Sequence, residues 1–242
     1  MVDVIAVFAH PDDLELTVGG TMIKLAAFGY RTGALDVTRG EMGTRGTVEG
    51  RAAEAEAAAK LLQLGIRENL GLPDGHVFVT DVERVALVRA LRRLKPRVIL
   101  THQEGDSHPD HDHIARLVRE CIRLVAMKNY DPETSADKIP PPMVAHDVFS
   151  RRVQPSFIVD ISQFLEQKMD AIRVHRSQFY DPNSTEPETM LTGKTFLDAI
   201  EHRSRYYGSL IGATAGEPFF VREMLNVDDP CALLTRPMNL YS

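Results

Sequence analysis

The chain has 242 residues, 43% hydrophobic and 26% charged, a balance that suits one globular domain able to bury a core without staples. A net charge of −6, with arginines scattered rather than blocked, excludes the basic signature of a nucleic-acid or anionic-membrane partner. Two cysteines, Cys121 and Cys231, cannot build a disulfide framework, and no apolar stretch approaches the ~20 residues of a membrane span.

Val4–Phe8 is an apolar run of strand length, entered directly from Met1-Val2-Asp3 without a basic leader, so a cytoplasmic protein with reduced cysteines is expected. Pro11 cannot donate a ladder hydrogen bond, so pairing should stop at His10-Pro11-Asp12-Asp13. Leu14–Phe28 reads as a helix closed by Gly29, and Ala34–Thr38 as a second strand followed by the glycine-rich Gly40–Gly46. Arg51–Leu64 is an Ala/Glu-rich helix ending at Gly65, and a short strand is expected around Asn69–Leu70. Asp81–Leu94 is a helix that stops before Pro96, Arg97–Thr101 a strand, and His111–Val125 an amphipathic helix in which Cys121 is a buried thiol.

Lys128–Pro142 reads as a surface loop, with a lid as the alternative. Strands at Val144–Phe149 and Phe157–Ile161, helices at Gln163–Val174 and Phe196–Ile211, and a long loop at Asp181–Thr192 complete the chain. Strand–helix alternation of this kind predicts an α/β fold. It should be a doubly wound, mostly parallel, Rossmann-like sheet with helices on both faces, in a single domain over residues 1–242. Ligands of such sheets bind outside the carboxyl ends of the strands.

Two polar clusters fall at those ends. His10-Pro11-Asp12-Asp13 follows the first strand, and His108-Pro109-Asp110-His111-Asp112-His113 follows the strand ending at Thr101. A His/Asp/His set suits zinc, whose catalytic sites keep three protein ligands and one open position. The start of a helix would bring His10 and Asp13 to one side of a metal and leave Asp12 as a base. The third ligand could come from His111 or His113. Taken singly, an Asp-Asp pair before a helix can be only a cap, and a histidine-rich turn only a solvated loop. Arg45, in the glycine-rich loop, is a candidate fork for a substrate carboxylate, with Glu41 and Arg39 weaker candidates and Gln178 and His175 nearby in role. That loop is neither Gly-x-Gly-x-x-Gly nor a P-loop, which weakens a phosphoesterase reading. Distant cysteines and a spare carboxylate weaken a purely structural zinc site.

Ala9-His10-Pro11-Asp12-Asp13-Leu14-Glu15 with Gly19-Gly20-Thr21, and later His108-Pro109-Asp110-His111, resemble the PIG-L/LmbE-like zinc-dependent N-deacetylases. Thr38–Thr47 and His175–Asn183 are similar to a subgroup, the bacillithiol-biosynthesis deacetylases acting on N-acetylglucosaminyl malate. The resemblance implies one zinc on His10, Asp13 and His111, Asp12 as general base, His108 as oxyanion stabiliser and Asp110 orienting a histidine. It also implies a small-molecule glycoside substrate and a homo-oligomer. Gly216-Glu217-Pro218-Phe219 matches a further segment of the family, with Ala215 where an aromatic residue is expected.

Overall fold

The computed structural model describes residues 1–150 and 153–234. Among them, seven strands form one sheet: β1 (Val4–Phe8), β2 (Thr32–Thr38), β3 (Ile66–Leu72), β4 (Val98–Thr101), β5 (Met143–Asp147), β6 (Phe157–Asp160) and β7 (Gly216–Phe220). The helices are α1 (Asp13–Ala27), α2 (Val48–Leu61), α3 (Asp81–Leu94), α4 (Pro109–Leu124), α5 (Leu165–Arg173), α6 (Lys194–Ser209) and α7 (Pro230–Leu234). The order is β3-β2-β1-β4-β5-β7-β6. Strands β1 to β5 pair in parallel and β7 runs antiparallel to both its neighbours, so the expected α/β, mostly parallel sheet is borne out. The strand order reverses between β1 and β4, the crevice where open α/β sheets bind ligands.

Alternation along β1 divides the core. Ile5, Val7 and Ala9 pack with Leu87, Leu91, Ile114 and Val118 of α3 and α4. Val4, Ala6 and Phe8 pack with Leu14, Val18 and Met22 of α1 on the opposite face. A strand buried on both sides must be apolar throughout, which is why β1 carries no polar residue until the chain leaves the sheet.

Two parts of the chain depart from expectation. β7 was not foreseen as a strand, because Gly216 and Pro218 are poor strand formers. It persists because of what Glu217 does. Its buried carboxylate accepts the N–H groups of Gly20 (2.9 Å) and Thr21 (2.7 Å) in α1 and the ammonium of buried Lys168 (2.7 Å). A Cβ on Gly20 would stand 2.8 Å from the Ile161 side chain, so glycine is needed for this close approach. The neighbouring Ala215 is wholly buried against Leu16, Ile161 and Phe179, an interior position rather than a pocket edge.

The loop 128–142 is not a lid. It leaves the carboxyl end of α4, contains a 3-10 turn at Pro132–Asp137, and enters β5 at the amino edge of the sheet, opposite the two polar clusters. The fully buried Arg92 guanidinium fastens it by donating to the carbonyls of Leu124, Val125, Met127, Tyr130 and Asp131. A cation at the end of α4 also complements that helix's dipole.

Removing one partner of a buried ion pair leaves an uncompensated charge. Lys168→Met is therefore expected to cost about 3–5 kcal/mol, read as a lower urea midpoint, whereas an unchanged midpoint would mean that the pair contributes nothing.

Candidate metal centre

Polypeptide geometry at the end of β1 builds half of the site. The Ala9 carbonyl accepts the Thr38 N–H at 2.9 Å, and the Asp12 N–H turns back to the His10 carbonyl at 2.9 Å. Asp12 then precedes α1 without a side-chain cap hydrogen bond, so the Asp-Asp pair is not a helix cap. Instead Asp13 Oδ2 accepts the His10 backbone N–H at 2.8 Å and lies 3.2 Å from His10 Nδ1. The other half comes from the first turn of α4, where Pro109 follows His108 and presents His111.

His10 Nδ1, Asp13 Oδ2 and His111 Nε2 form a nearly equilateral triangle with sides of 3.2, 3.3 and 3.4 Å. Donors held at 2.0–2.2 Å around a tetrahedral metal are about 3.3–3.5 Å apart. The residues present therefore fit a metal with three protein ligands and an open position, and the donor types suit zinc.

Each imidazole is fixed from behind. His10 Nε2 donates to Asp74 Oδ1 at 3.0 Å, and His111 Nδ1 donates to Asp106 Oδ2 at 3.1 Å. These bonds put the protons on the outer nitrogens and leave the inner lone pairs facing the triangle. Burial raises the Asp74 pKa, but His10 and the Met42 N–H outweigh it and hold the group at about 2. The flat face of His102 stacks on His111 at 3.9 Å, while its Nε2 accepts the Ala9 N–H at 3.0 Å.

Electrostatics separates the two neighbouring aspartates. Burial raises Asp13, but the His111 and His10 charges overcome it and hold the carboxyl well below its usual range. Burial also raises Asp12, and the Arg51 guanidinium, 3.4 Å away, only partly offsets it, so its pKa stays above the ordinary value. Arg51 Nη1 donates to the Gly40 carbonyl at 2.8 Å. Gly40 has φ +66°, and a Cβ there would stand 2.0 Å from that nitrogen, so only glycine allows the contact.

The remaining sequence candidates take other places. His108 stacks on His111 at 4.5 Å, and burial with the nearby His111 and His10 charges lowers its pKa. Asp110, expected to orient a histidine, stands 3.8 Å from His10 Nε2, on the side that Asp74 also faces, while its oxygens accept the Gly75 (2.7 Å) and Val77 (3.3 Å) N–H groups. His113 lies outside the triangle, donating to the Val77 carbonyl at 2.6 Å. His175 is wholly buried behind α1, 3.4 Å from Glu15 Oε1.

Arg45, the candidate for a ligand carboxylate, is buried and donates to Ser184 Oγ (2.6 Å) and Glu186 Oε2 (3.4 Å), docking the 181–192 loop on the glycine-rich loop. Gln178 holds the Arg45 carbonyl at 3.0 Å, and Glu41 accepts the Asp74 N–H at 3.1 Å. All three candidates brace loops around the site.

Asp74, Asp106 and Arg51 escaped the sequence reading. The available signal was weak: Asp74-Gly75 and Gly105-Asp106 are turn dipeptides just beyond the carboxyl ends of β3 and β4.

The family described as GlcNAc-PI de-N-acetylase (PIG-L) matches residues 5–122, a span containing both clusters. A diacetylchitobiose deacetylase of Thermococcus kodakarensis is 30% identical over 186 residues, covering 73% of this chain and 70% of that protein. A probable N-acetyl-alpha-D-glucosaminyl L-malate deacetylase 2 of Bacillus anthracis is 25% identical over 189 residues, covering 73% of this chain and 81% of that protein. The crystal structure of a conserved protein, TT1542, from Thermus thermophilus superposes with a TM-score of 0.81 at 35% identity, over 94% of this chain and 98% of that one.

In the metal-free protein Asp13 raises His10 above its ordinary pKa and His111 to about 10, against the effect of burial. Metal binding requires neutral imidazoles. Zinc titration at pH 7 is therefore expected to release protons, measured calorimetrically in buffers of different ionisation enthalpy; zinc uptake with no proton release would contradict the paired-charge description.

Proposed function

The chain belongs to the PIG-L family of de-N-acetylases, and on that premise we propose that it hydrolyses the acetamide of an N-acetylglucosamine conjugate at a single zinc held by His10, Asp13 and His111. It is a deacetylase of GlcNAc-type substrates. The observation that carries the proposed site is the triangle of donor atoms with sides of 3.2–3.4 Å.

A bound zinc would polarise the acetyl carbonyl and lower the pKa of a water toward ~7. Asp12 is given the proton transfers: it takes the proton of the attacking water and later delivers it to the departing amine. Its raised pKa suits that exchange better than an ordinary carboxylate would. His108, stacked on His111, is given the developing oxyanion, where a donated N–H is typically worth about 3–4 kcal/mol of barrier. Arg51 holds Asp12 in place through the same guanidinium that braces Gly40.

Two aglycones compete. The malate glycoside of bacillithiol biosynthesis is supported by the segments Thr38–Thr47 and His175–Asn183 and by the Bacillus anthracis relative. A neutral sugar aglycone is supported by the state of Arg45, whose charge already meets Glu186 rather than standing open for a dicarboxylate. We favour the neutral sugar. Acetate release from N-acetylglucosamine, N,N'-diacetylchitobiose and N-acetylglucosaminyl malate separates the readings, and a strong preference for the malate conjugate would reverse this choice.

Asp12→Ala is expected to bind zinc normally while losing at least about 10³-fold in kcat, with metal content measured alongside turnover. Full activity in that variant would remove Asp12 from the mechanism.

A further inference from the structure

The donor triangle is assembled from two distant pieces of chain. His10 and Asp13 come from the end of β1 and the start of α1, whereas His111 stands in the first turn of α4, 101 residues beyond His10. A working site needs such pieces held within about 0.5 Å of each other. One buried side chain touches both. It is His102, the first residue beyond β4, only 1% exposed and therefore part of the interior.

Regular pairing of β1 with β4 ends at Val7 and Thr101. Past that point, side chains of the β4 segment continue the ladder. Thr101 Oγ1 donates to the Val7 carbonyl at 2.8 Å, and His102 Nε2 accepts the Ala9 N–H at 3.0 Å. Thr38 holds the Ala9 carbonyl from the other side at 2.9 Å, so the residue before His10 is fixed on both edges. A buried N–H needs a partner, and here an imidazole supplies it where no strand carbonyl does.

The same ring lies flat on His111, with centroids 3.9 Å apart and planes 8° from parallel. Phe8 meets it edge-on at 4.6 Å and limits its rotation. Its Nε2 also stands 3.4 Å from Asp13 Oδ2. Donor atoms of His102, Asp106 and His111 lie within 4.8 Å of one another, a spacing that a metal could use. His102 is nevertheless not offered as a ligand. The Ala9 N–H occupies its Nε2 lone pair, which puts the ring hydrogen on Nδ1, facing the buried Asp147 carboxylate at 3.7 Å.

We propose that His102 is a positioning residue that registers the β1 half of the metal centre against the α4 half. It hydrogen bonds to one half and stacks on the other, and it does not bind the metal. The inference rests on the zinc triangle proposed above and adds what holds its two parts together.

Three substitutions separate the contacts. His102→Gln carries an amide oxygen able to accept the Ala9 N–H but has no ring. His102→Phe keeps a ring against His111 but has no acceptor, and His102→Ala lacks both. Zinc affinity is read by competition with a chromophoric chelator, on protein shown to be folded by circular dichroism. His102→Ala should bind zinc about 10–100-fold more weakly, the range for groups that support metal ligands. His102→Gln and His102→Phe should each fall between it and the unaltered protein, and they carry the test alone if His102→Ala does not fold. Full affinity in either of them would overturn the proposal, because one contact would then suffice. A lower urea midpoint with unchanged zinc affinity would also overturn it, leaving His102 a role in stability only. Failure of the unaltered protein to bind one zinc would instead remove the triangle itself.

Discussion

Asp13 is a buried carboxylate pressed between two imidazoles, and the rest of the site is arranged around keeping it charged there. An isolated buried carboxylate would be driven neutral by desolvation. His10 and His111 prevent this from 3.2 and 3.3 Å, and each is held in turn by a second carboxylate, Asp74 or Asp106, on its far side. The result is alternating charge running from the carboxyl end of β3 through β1 to β4. His10, Asp13 and His111 would hold a metal there, whose positive charge would serve Asp13 in the same way.

The same constraint divides the labour between two adjacent, chemically identical residues. Asp13 faces both rings and is held low; Asp12 faces mainly Arg51 and is raised by burial. Environments that push the pKa values of neighbouring groups apart are how one site obtains both a permanently charged carboxylate and a proton carrier. Arg51 therefore has two duties, moderating Asp12 and bracing the glycine-rich loop through Gly40. A substitution at either Gly40 or Arg51 would be felt by both.

The legible parts of the sequence were those with a strong local signal. The apolar β1, the helix-period segments and their alternation with strands implied the parallel sheet, and the two histidine clusters at strand ends implied the crevice between β1 and β4. What stayed hidden depends on tertiary contact. β7 contains Gly216 and Pro218, and its strand geometry is sustained by Glu217 reaching the backbone of α1. Asp74 and Asp106 are single acidic residues in turns, and nothing local distinguishes them from solvated loop residues. Arg45 is a further case: nothing local in the glycine-rich loop announces that Glu186, 141 residues further along, meets its charge. The 128–142 loop could suggest a lid only while the side of the sheet it occupies was unknown.

Metal coordination itself provides the most direct test. X-ray absorption and anomalous diffraction on zinc-loaded protein should give one metal per chain, bound at about 2.0–2.2 Å by His10 Nδ1, Asp13 and His111 Nε2, with a non-protein oxygen completing the shell. Ligation by His113 or His102 in place of His111, or a shell closed by four protein ligands, would contradict it.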